Sequence, residues 1–179
     1  MLALEGPNGA GKTSLLRAIA GFLAPHAGSI RITTKDGKVL DSGEERAPCI
    51  GWLGHQDGAK SQMMPEESLR FFSGFYGAAT STASRTDDAL ARTDLRRVRD
   101  LPIQFLSAGQ KRRLALARLL LCARPLWLLD EPFATLDDAG KKLVAELVRA
   151  HCRDGGAAIV ATHEPLGLGG PELKLGRTA

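Results

Sequence analysis

Short apolar runs alternate along this chain with stretches in which apolar residues recur at three- or four-residue spacing. Apolar runs bounded by Gly, Pro or Asp predict buried strands, and the wider spacing predicts amphipathic helices. The predicted strands cover residues 2–5, 29–33, 38–40, 50–53, 126–129 and 157–161. The predicted helices cover residues 12–23, 65–76, 87–97, 107–122 and 137–151.

The order of these elements predicts an α/β fold, because strands that alternate with helices are typical of a mostly parallel sheet. Residues from about 57 to 106 contain helical patterns only. We therefore expect one domain over residues 1–179, in which residues 1–56 and 107–179 form the core and the helical residues between them form an inserted subdomain. Residues 77–84 are small and polar and predict a flexible connection. The tail after His163 is rich in Gly and Pro.

A glycine-rich segment lies between the first strand and the first helix, and it fits the P-loop pattern G-x-x-x-x-G-K-[ST]. Glycines let the backbone point its N–H groups at phosphate oxygens, and the following helix presents its positive end to them. The lysine adds a positive charge, and the threonine hydroxyl is a ligand for Mg²⁺. The predicted nucleotide-binding residues here are Gly6, Pro7, Asn8, Gly9, Ala10, Gly11, Lys12, Thr13 and Ser14.

An acidic pair ends the apolar run over residues 126–129. Ligands bind at the carboxyl ends of strands in open α/β sheets, and a carboxylate there can hold Mg²⁺ in a P-loop protein. Asp130 is therefore the candidate metal-binding carboxylate, and Glu131 is the candidate general base for an attacking water. The alternative is a strand that runs into an acidic turn, and the P-loop motif elsewhere in the chain argues against it.

The motif Leu106-Ser107-Ala108-Gly109-Gln110 begins a long predicted helix. Ser107 and Gln110 have the S-x-x-Q spacing of a capping box. The same helix start can also bind an anion through its hydroxyl, its backbone N–H groups and its dipole. Both interpretations stay open. The motif resembles the L-S-G-G-Q signature of ABC ATPases, and its place between the P-loop and the acidic pair matches that family's order of motifs.

The resemblance to ABC ATPases extends from residue 2 to about residue 165 and implies further roles. Gln56 is similar to the Q-loop glutamine, which contacts Mg²⁺ and the attacking water. Residues 134–137 resemble the D-loop at the dimer interface, and His163 resembles the switch histidine that contacts the γ-phosphate. The implied fold is a P-loop NTPase with a RecA-like core and an inserted ABC helical subdomain.

The resemblance also implies that two copies bind ATP and Mg²⁺ as a homodimer and hydrolyse the ATP. Each nucleotide would lie between the P-loop of one subunit and the signature of the other. The signature residues implied to contact it are Ser107, Gly109 and Gln110.

Three segments indicate a narrower family. Residues 52–60 (WLGHQDGAK), 67–72 (ESLRFF) and 106–113 (LSAGQKRR) resemble the ATP-binding subunit of the haem-export complex of cytochrome c maturation. Asp57, Ala59 and Ser68 depart from that pattern. This resemblance implies integral membrane subunits as partners and a peripheral position at the cytoplasmic face of the bacterial inner membrane.

Members of the ABC family carry an antiparallel β region before the P-loop strand, with an aromatic residue that stacks on adenine. Met1 lies five residues before Gly6. We therefore expect that this sequence lacks the N-terminal β region, and that the DNA upstream of the Met1 codon encodes it in the same reading frame.

Composition limits the other possibilities. A formal net charge of +4 suits an anionic ligand but is too small to indicate nucleic acid as a partner. The leucine-rich residues 114–129 include two arginines and are too few to span a bilayer, which takes about 20 apolar residues.

Two alternatives remain. One is a soluble ABC-type ATPase of DNA repair, translation or iron–sulfur assembly, and the chain lacks the heptads or the second cassette that such proteins contain. The other is a degenerate subunit that binds nucleotide without hydrolysing it. The presence of Lys12, Asp130 and Glu131 argues against that alternative, and the expected absence of the N-terminal β region argues for it.

Overall fold

The computed structural model describes residues 1–55, 58–75, 82–163 and 169–176. The chain divides into two compact units. The first unit comprises Met1–Trp52, Arg124–Glu131 and His151–Ala179, and the second comprises Leu53–Ala123 and Pro132–Ala150. The core and subdomain boundaries expected at residues 56 and 107 remain a prediction.

The described strands and helices follow the predicted order. The strands are β1 (Leu2–Glu5), β2 (Ile32–Thr33), β3 (Val39–Leu40), β4 (Ile50–Leu53), β5 (Leu126–Asp130), β6 (Ala157–Thr162) and β7 (Glu172–Lys174). The α-helices are α1 (Lys12–Ala20), α2 (Gly43–Arg46), α3 (Pro65–Phe75), α4 (Thr82–Arg92), α5 (Ala108–Cys122) and α6 (Asp138–Arg153). Short 3₁₀ turns cover Ala47–Cys49, Arg96–Val98 and Ile103–Phe105.

The main sheet has the strand order β4-β5-β6-β1-β7. Strand β1 pairs in parallel with both β6 and β7, and β5 pairs in parallel with β6. The carboxyl ends of β1, β5 and β6 therefore lie side by side. This arrangement confirms the predicted α/β class with a mostly parallel sheet. Strands β2 and β3 form a separate antiparallel pair, which confirms the predicted hairpin, although its strands are shorter than expected.

A compact apolar core joins α1 to the sheet in the first unit. Leu4 of β1, Leu16 of α1 and Leu128 of β5 belong to one cluster and have no exposed surface. Burial of such a side chain contributes about 1.5–3 kcal/mol to stability. Because β1 and α1 are both held in this core, the loop that joins them has fixed ends.

In the second unit, α3, α4 and α5 pack against one another around a leucine-rich cluster. Its largest fully buried members are Leu69 of α3, Leu90 of α4 and Leu114 of α5, together with Leu95 just after α4. This packing explains the helical periodicity of the central third of the sequence.

The predicted boundaries of two helices are wrong. Helix α1 ends at Ala20 rather than at residue 23, because Gly21 caps it in the left-handed conformation with a φ of 83°. The helix expected over residues 87–97 lies instead over Thr82–Arg92. The chain leaves α4 at Asp94, which has a φ of 53°, and the next residue, Leu95, is fully buried. The flexible connection predicted to reach residue 84 is therefore already helical from Thr82, and residues 76–81 lie outside the described part.

The pattern missed two short elements. Helix α2 begins with a capping box between Ser42 and Glu45, and the S-x-x-E spacing could have indicated it. Strand β7 lies parallel to β1 at the edge of the sheet, and its three residues are all exposed. Because the residues of this edge strand are exposed, they need not be apolar, and the hydrophobic pattern of the sequence therefore does not indicate the strand.

A histidine stacks on the indole of Trp127 in the first unit. The rings of His151 and Trp127 have centroids 3.9 Å apart and an interplanar angle of 5°. His151 Nε2 lies 3.2 Å from the carbonyl oxygen of Ala157, and a β-carbon on Gly156 would lie 2.3 Å from the imidazole. Burial lowers the pKa of His151 below its usual 6.5, although the nearby carbonyl oxygens oppose the shift.

The lowered pKa makes the stability of the fold depend on pH. Below about pH 6.5 the unfolded chain binds a proton at His151 that the folded chain resists. We therefore expect the midpoint temperature of unfolding to be lower at about pH 5.5 than at about pH 7.5. The decrease should be smaller in His151→Phe, which keeps a stacking ring without a titrating group. Thermal unfolding at both pH values measures this. An equal fall in the two proteins would contradict the role of His151.

Candidate functional site

The segment from Gly6 to Gly11 turns sharply between β1 and α1. Gly6 has a φ of 154°, and a β-carbon placed on it would lie 2.2 Å from the carbonyl oxygen of Leu175. Glycine is therefore required at this position by the close approach of a neighbouring backbone. Gly11 has a φ of 96°, in the left-handed region that favours glycine, and the space around it is open.

Helix α1 begins directly at the end of this loop. Its N-cap residue is Gly11, so no side chain accepts hydrogen bonds from the first-turn N–H groups, and the first turn contains no acidic residue. Such N–H groups carry partial positive charge at the start of a helix. The loop and the helix start are therefore suited to bind an anion such as a phosphate group.

Lys12 adds a desolvated positive charge to this loop. Only 6% of the residue is exposed, and its Nζ donates hydrogen bonds to the carbonyl oxygens of Gly6 at 2.6 Å and Pro7 at 3.3 Å. The same ammonium lies 3.9 Å from a carboxylate oxygen of Glu131. Because few water molecules can screen the charge here, its attraction for a phosphate is stronger than at an open surface.

Thr13 and Asp130 meet at the carboxyl end of β5. The Thr13 hydroxyl donates to the two Asp130 carboxylate oxygens at distances of 3.1 and 3.0 Å. Asp130 is the last residue of β5 and is 3% exposed. Hydroxyl and carboxylate oxygens are ligands that Mg²⁺ accepts, and a phosphate bound by the adjacent loop, together with water, would supply the remaining oxygens. The residues present therefore fit a magnesium ion bound together with a nucleotide.

Glu131 has an unusual backbone conformation. Its φ is 49°, in the left-handed region, which costs of order 1–3 kcal/mol for a residue other than glycine. Its N–H donates to the carbonyl oxygen of Ala161 at 2.9 Å, and its Oε2 lies 2.9 Å from Nδ1 of His163. His163 directly follows β6. Two neighbouring strands thus deliver a carboxylate and an imidazole to one point beside Lys12.

Sequence reasoning missed the left-handed conformation of Glu131. Pro132 follows it and disfavours the right-handed helical region for the preceding residue. That proline is the sequence signal that could have indicated an irregular backbone at this position.

The predicted signature lies in the second unit. The Gln110 N–H donates to Ser107 Oγ at 3.2 Å, and the Ser107 N–H donates to Gln110 Oε1 at 2.8 Å, which confirms the predicted capping box. A β-carbon on Gly109 would lie 3.2 Å from the carbonyl oxygen of Thr135. The start of α5 therefore packs closely against the segment predicted to form the D-loop.

The structure brings together most of the residues that the sequence predicted for catalysis and Mg²⁺ binding. Lys12, Thr13, Asp130, Glu131 and His163 are joined by direct contacts in the first unit. The signature residues belong to the second unit, and Gln56 lies outside the described residues. The predicted P-loop residues that are exposed to solvent are Pro7, Asn8, Gly9 and Ser14.

None of the helices in the described ranges combines the length and apolar character needed to cross a lipid bilayer.

Sequence comparison finds similar proteins over almost the whole chain. The ABC transporter family profile matches residues 1–134. The cytochrome c biogenesis ATP-binding export protein CcmA of Nitrobacter hamburgensis is 47% identical over 179 residues, which cover 99% of this chain and 85% of that protein. A protein of the same name from Brucella abortus is 46% identical over 169 residues, which cover 94% of this chain and 75% of the relative.

Comparison with solved structures finds the same fold. The dimeric structure of MJ0796, described as a bacterial ABC transporter cassette, superimposes with a TM-score of 0.84 at 26% identity and covers 98% of this chain and 80% of that chain. An ABC transporter ATP-binding protein from Pyrococcus furiosus has a TM-score of 0.80 at 24% identity, with 97% of this chain and 83% of that chain covered. The fold is therefore that of the ABC ATPases, as predicted.

Proposed function

The chain belongs to the ABC transporter family, and we propose that it is the ATP-binding and ATP-hydrolysing subunit of a transporter that exports haem for the biogenesis of c-type cytochromes. The cluster of Lys12, Thr13, Asp130, Glu131 and His163 carries the proposal of hydrolysis. The 47% identity to a cytochrome c biogenesis export protein supports a transporter rather than a soluble ABC-type ATPase.

In this proposal the loop between β1 and α1 holds the phosphates of ATP. Its backbone N–H groups, the start of α1 and the ammonium of Lys12 donate to phosphate oxygens. Thr13 and Asp130 would hold Mg²⁺, and the resemblance to the family implies Gln56 as a further ligand. ATP supplies the phosphoanhydride bond that is cleaved, and Mg²⁺ neutralises charge on its phosphates.

Glu131 is the proposed general base. Its carboxylate lies beside the phosphate-binding loop, and it would accept a proton from the water that attacks the terminal phosphate. The 2.9 Å contact with Nδ1 of His163 fixes the direction of one carboxylate oxygen. His163 would thereby orient the base and, as the family resemblance implies, also contact the terminal phosphate.

The signature residues of the second unit would act on the nucleotide of another copy. Ser107, Gly109 and Gln110 form the start of α5, where the capping hydroxyl, the backbone N–H groups and the helix dipole favour an anion. The dimeric state of the MJ0796 structures supports a homodimer. Closure of the two copies on ATP would complete each site, and hydrolysis would release it.

The work of hydrolysis would be transmitted to integral membrane subunits. The names of the relatives, which are export proteins, support such partners. We place the chain peripherally at the cytoplasmic face of the bacterial inner membrane.

The proposed activity can be tested in a bacterium that lacks its own homologous export ATPase. Plasmid expression of this chain should restore c-type cytochromes, measured as covalently bound haem by peroxidase staining of a denaturing gel. A Glu131→Gln chain at equal abundance is the control and should not restore them. A different result is that the purified chain releases phosphate from ATP while the expressed chain, at normal abundance, fails to restore c-type cytochromes. That result would support the proposed ATPase activity and reject haem export as its purpose.

Replacement of Ser107 by arginine should prevent ATP-driven dimerisation. A bulky cation at the start of α5 blocks the approach of the partner's nucleotide, but the phosphate-binding loop of the first unit is not altered. We expect the affinity of the monomer for ATP to stay within about twofold, a free-energy change of roughly 0.4 kcal/mol. Size-exclusion chromatography with ATP in the Glu131→Gln background measures the dimer.

Ser107→Asn is the matched control, because asparagine keeps a capping oxygen and removal of the cap alone would cost about 1 kcal/mol. It should dimerise much better than Ser107→Arg. A Ser107→Arg dimer of undiminished strength would reject the role of the signature.

A further inference from the structure

An arginine of α5 is hydrogen-bonded to the backbone just after β4. Arg112 lies in the second turn of α5, and its Nη1 donates a hydrogen bond of 2.6 Å to the carbonyl oxygen of Gly54. The residue is 4% exposed. A buried guanidinium is costly unless it is hydrogen-bonded, and a short bond from a charged donor is among the stronger ones in proteins. The position of Gly54 is therefore closely set by the position of α5.

A second arginine of α5 lies near the same segment. The guanidinium of Arg118 stacks over the ring of Phe72 at 4.5 Å. A β-carbon placed on Gly58 would lie 4.0 Å from Nη1 of Arg118, which is ordinary contact distance. Side chains of α5 thus approach the chain at Gly54 and again at Gly58.

The residues just before the signature hold the continuation of this segment. The Gln104 N–H donates to the carbonyl oxygen of Ser61 at 2.8 Å, and the Ile103 N–H donates to that of Met63 at 3.0 Å. Backbone bonds of this kind fix the register of two segments against each other. Gly54, Ser61 and Met63 are consequently bonded to positions on both sides of the signature.

We propose that Arg112 is a positioning residue that makes the segment beginning at Gly54, just after β4, and the start of α5 move as one body. Gly54 lies two residues before Gln56, so the inference rests on the proposed function, in which Gln56 takes part in hydrolysis and Ser107 in closure on a partner's ATP. Arg112 touches neither nucleotide nor water in this scheme. It acts by keeping the segment before Gln56 aligned with the signature when two copies close.

The test compares Arg112→Met, which keeps the length of the side chain but removes the donor, with Arg112→Lys, which keeps a charged donor. We expect kcat for ATP hydrolysis to fall roughly tenfold in Arg112→Met, about 1.4 kcal/mol of barrier, with KM for ATP within about twofold. Arg112→Lys should recover part of the loss. Arg92→Met is the matched control, because Arg92 is an exposed arginine of the same unit that pairs only loosely with Asp88 at 3.9 Å.

Hydrogen–deuterium exchange of the peptide over residues 53–60 supplies a readout that a general loss of stability would not reproduce. We expect faster exchange there in Arg112→Met and unchanged exchange in α1. An unchanged kcat, or a lower kcat with unchanged exchange of this peptide, would overturn the proposal. Should Arg112→Met not fold, Arg112→Gln, which stays polar but removes the charge, decides by the same measurements, and unchanged kcat and exchange in that variant would overturn the proposal.

The two failures can be told apart. If the wild-type chain releases no phosphate from ATP, the proposed function fails, and the exchange experiment still shows whether Arg112 fixes the segment at Gly54. If the wild type hydrolyses ATP and Arg112→Met does so equally well, the role of Arg112 alone is rejected.

Discussion

Replacement of Glu131 by glutamine is expected to slow ATP hydrolysis by roughly 10²–10⁴-fold, the usual contribution of a general base. Glutamine has nearly the same shape as glutamate, so it preserves the packing around the left-handed backbone at this position. It cannot accept the proton of the attacking water. Lys12, Thr13 and Asp130 are unchanged in this variant, and ATP binding should therefore remain.

Two measurements check this prediction. Single-turnover phosphate release gives the rate of the chemical step, and calorimetric titration gives the affinity for ATP. Glu146→Gln is the matched control, because Glu146 is an exposed residue of α6. Wild-type turnover in Glu131→Gln would remove Glu131 from the mechanism, and a parallel loss of ATP binding would show that the variant disturbs the phosphate site itself.

Replacement of Lys12 by methionine is expected to act on binding. Hydrogen bonds to a charged group are worth about 1.5–3 kcal/mol, so we expect the affinity for ATP to fall by roughly 10- to 150-fold. Methionine retains an unbranched side chain in the 6%-exposed position of Lys12, which limits the loss of packing. The carbonyl oxygens of Gly6 and Pro7 would lose the ammonium donor, and Glu131 would lose the nearby positive charge.

The control for Lys12→Met is Lys38→Met, the same substitution at an exposed residue of the same unit, directly before β3. Titration with ATP and circular dichroism of all three proteins separate lost binding from lost folding. Wild-type affinity in a folded Lys12→Met protein would argue against phosphate binding by this loop.

The phosphate-binding loop and the acidic pair could be predicted because their residues lie close together in sequence. In both, the spacing of a few neighbouring residues decides the local geometry. Strand β5 presents Asp130 at its end because a continuous apolar run must be buried, and burial fixes where the strand stops. The capping box of Ser107 and Gln110 was predictable for the same reason, since its two hydrogen bonds join residues three positions apart.

Features that depend on distant parts of the chain could not be predicted. The bond from Arg112 to Gly54 joins two elements far apart in sequence, and neither residue type indicates it. The end of α4 is set by burial of Leu95 in the helical cluster rather than by the polar residues around it. The contact of Glu131 with His163 requires β5 and β6 to be adjacent, which the sequence implied only through the family resemblance.

The strand order has a consequence for the timing of folding during synthesis. Strand β1 pairs only with β6 and β7 among the described strands, and Leu2 is paired with Ile159. Strand β1 therefore waits for residues about 155 positions later in the chain before it can enter the sheet. At about 5–20 residues per second, that delay is roughly 10–30 s. During this interval the Gly6 loop has no sheet to hold it, and the carbonyl of Leu175 that packs on Gly6 is not yet made. A nascent chain thus acquires its nucleotide site only after β6 and β7 have been made, and until then the apolar β1 is exposed as a substrate for chaperones.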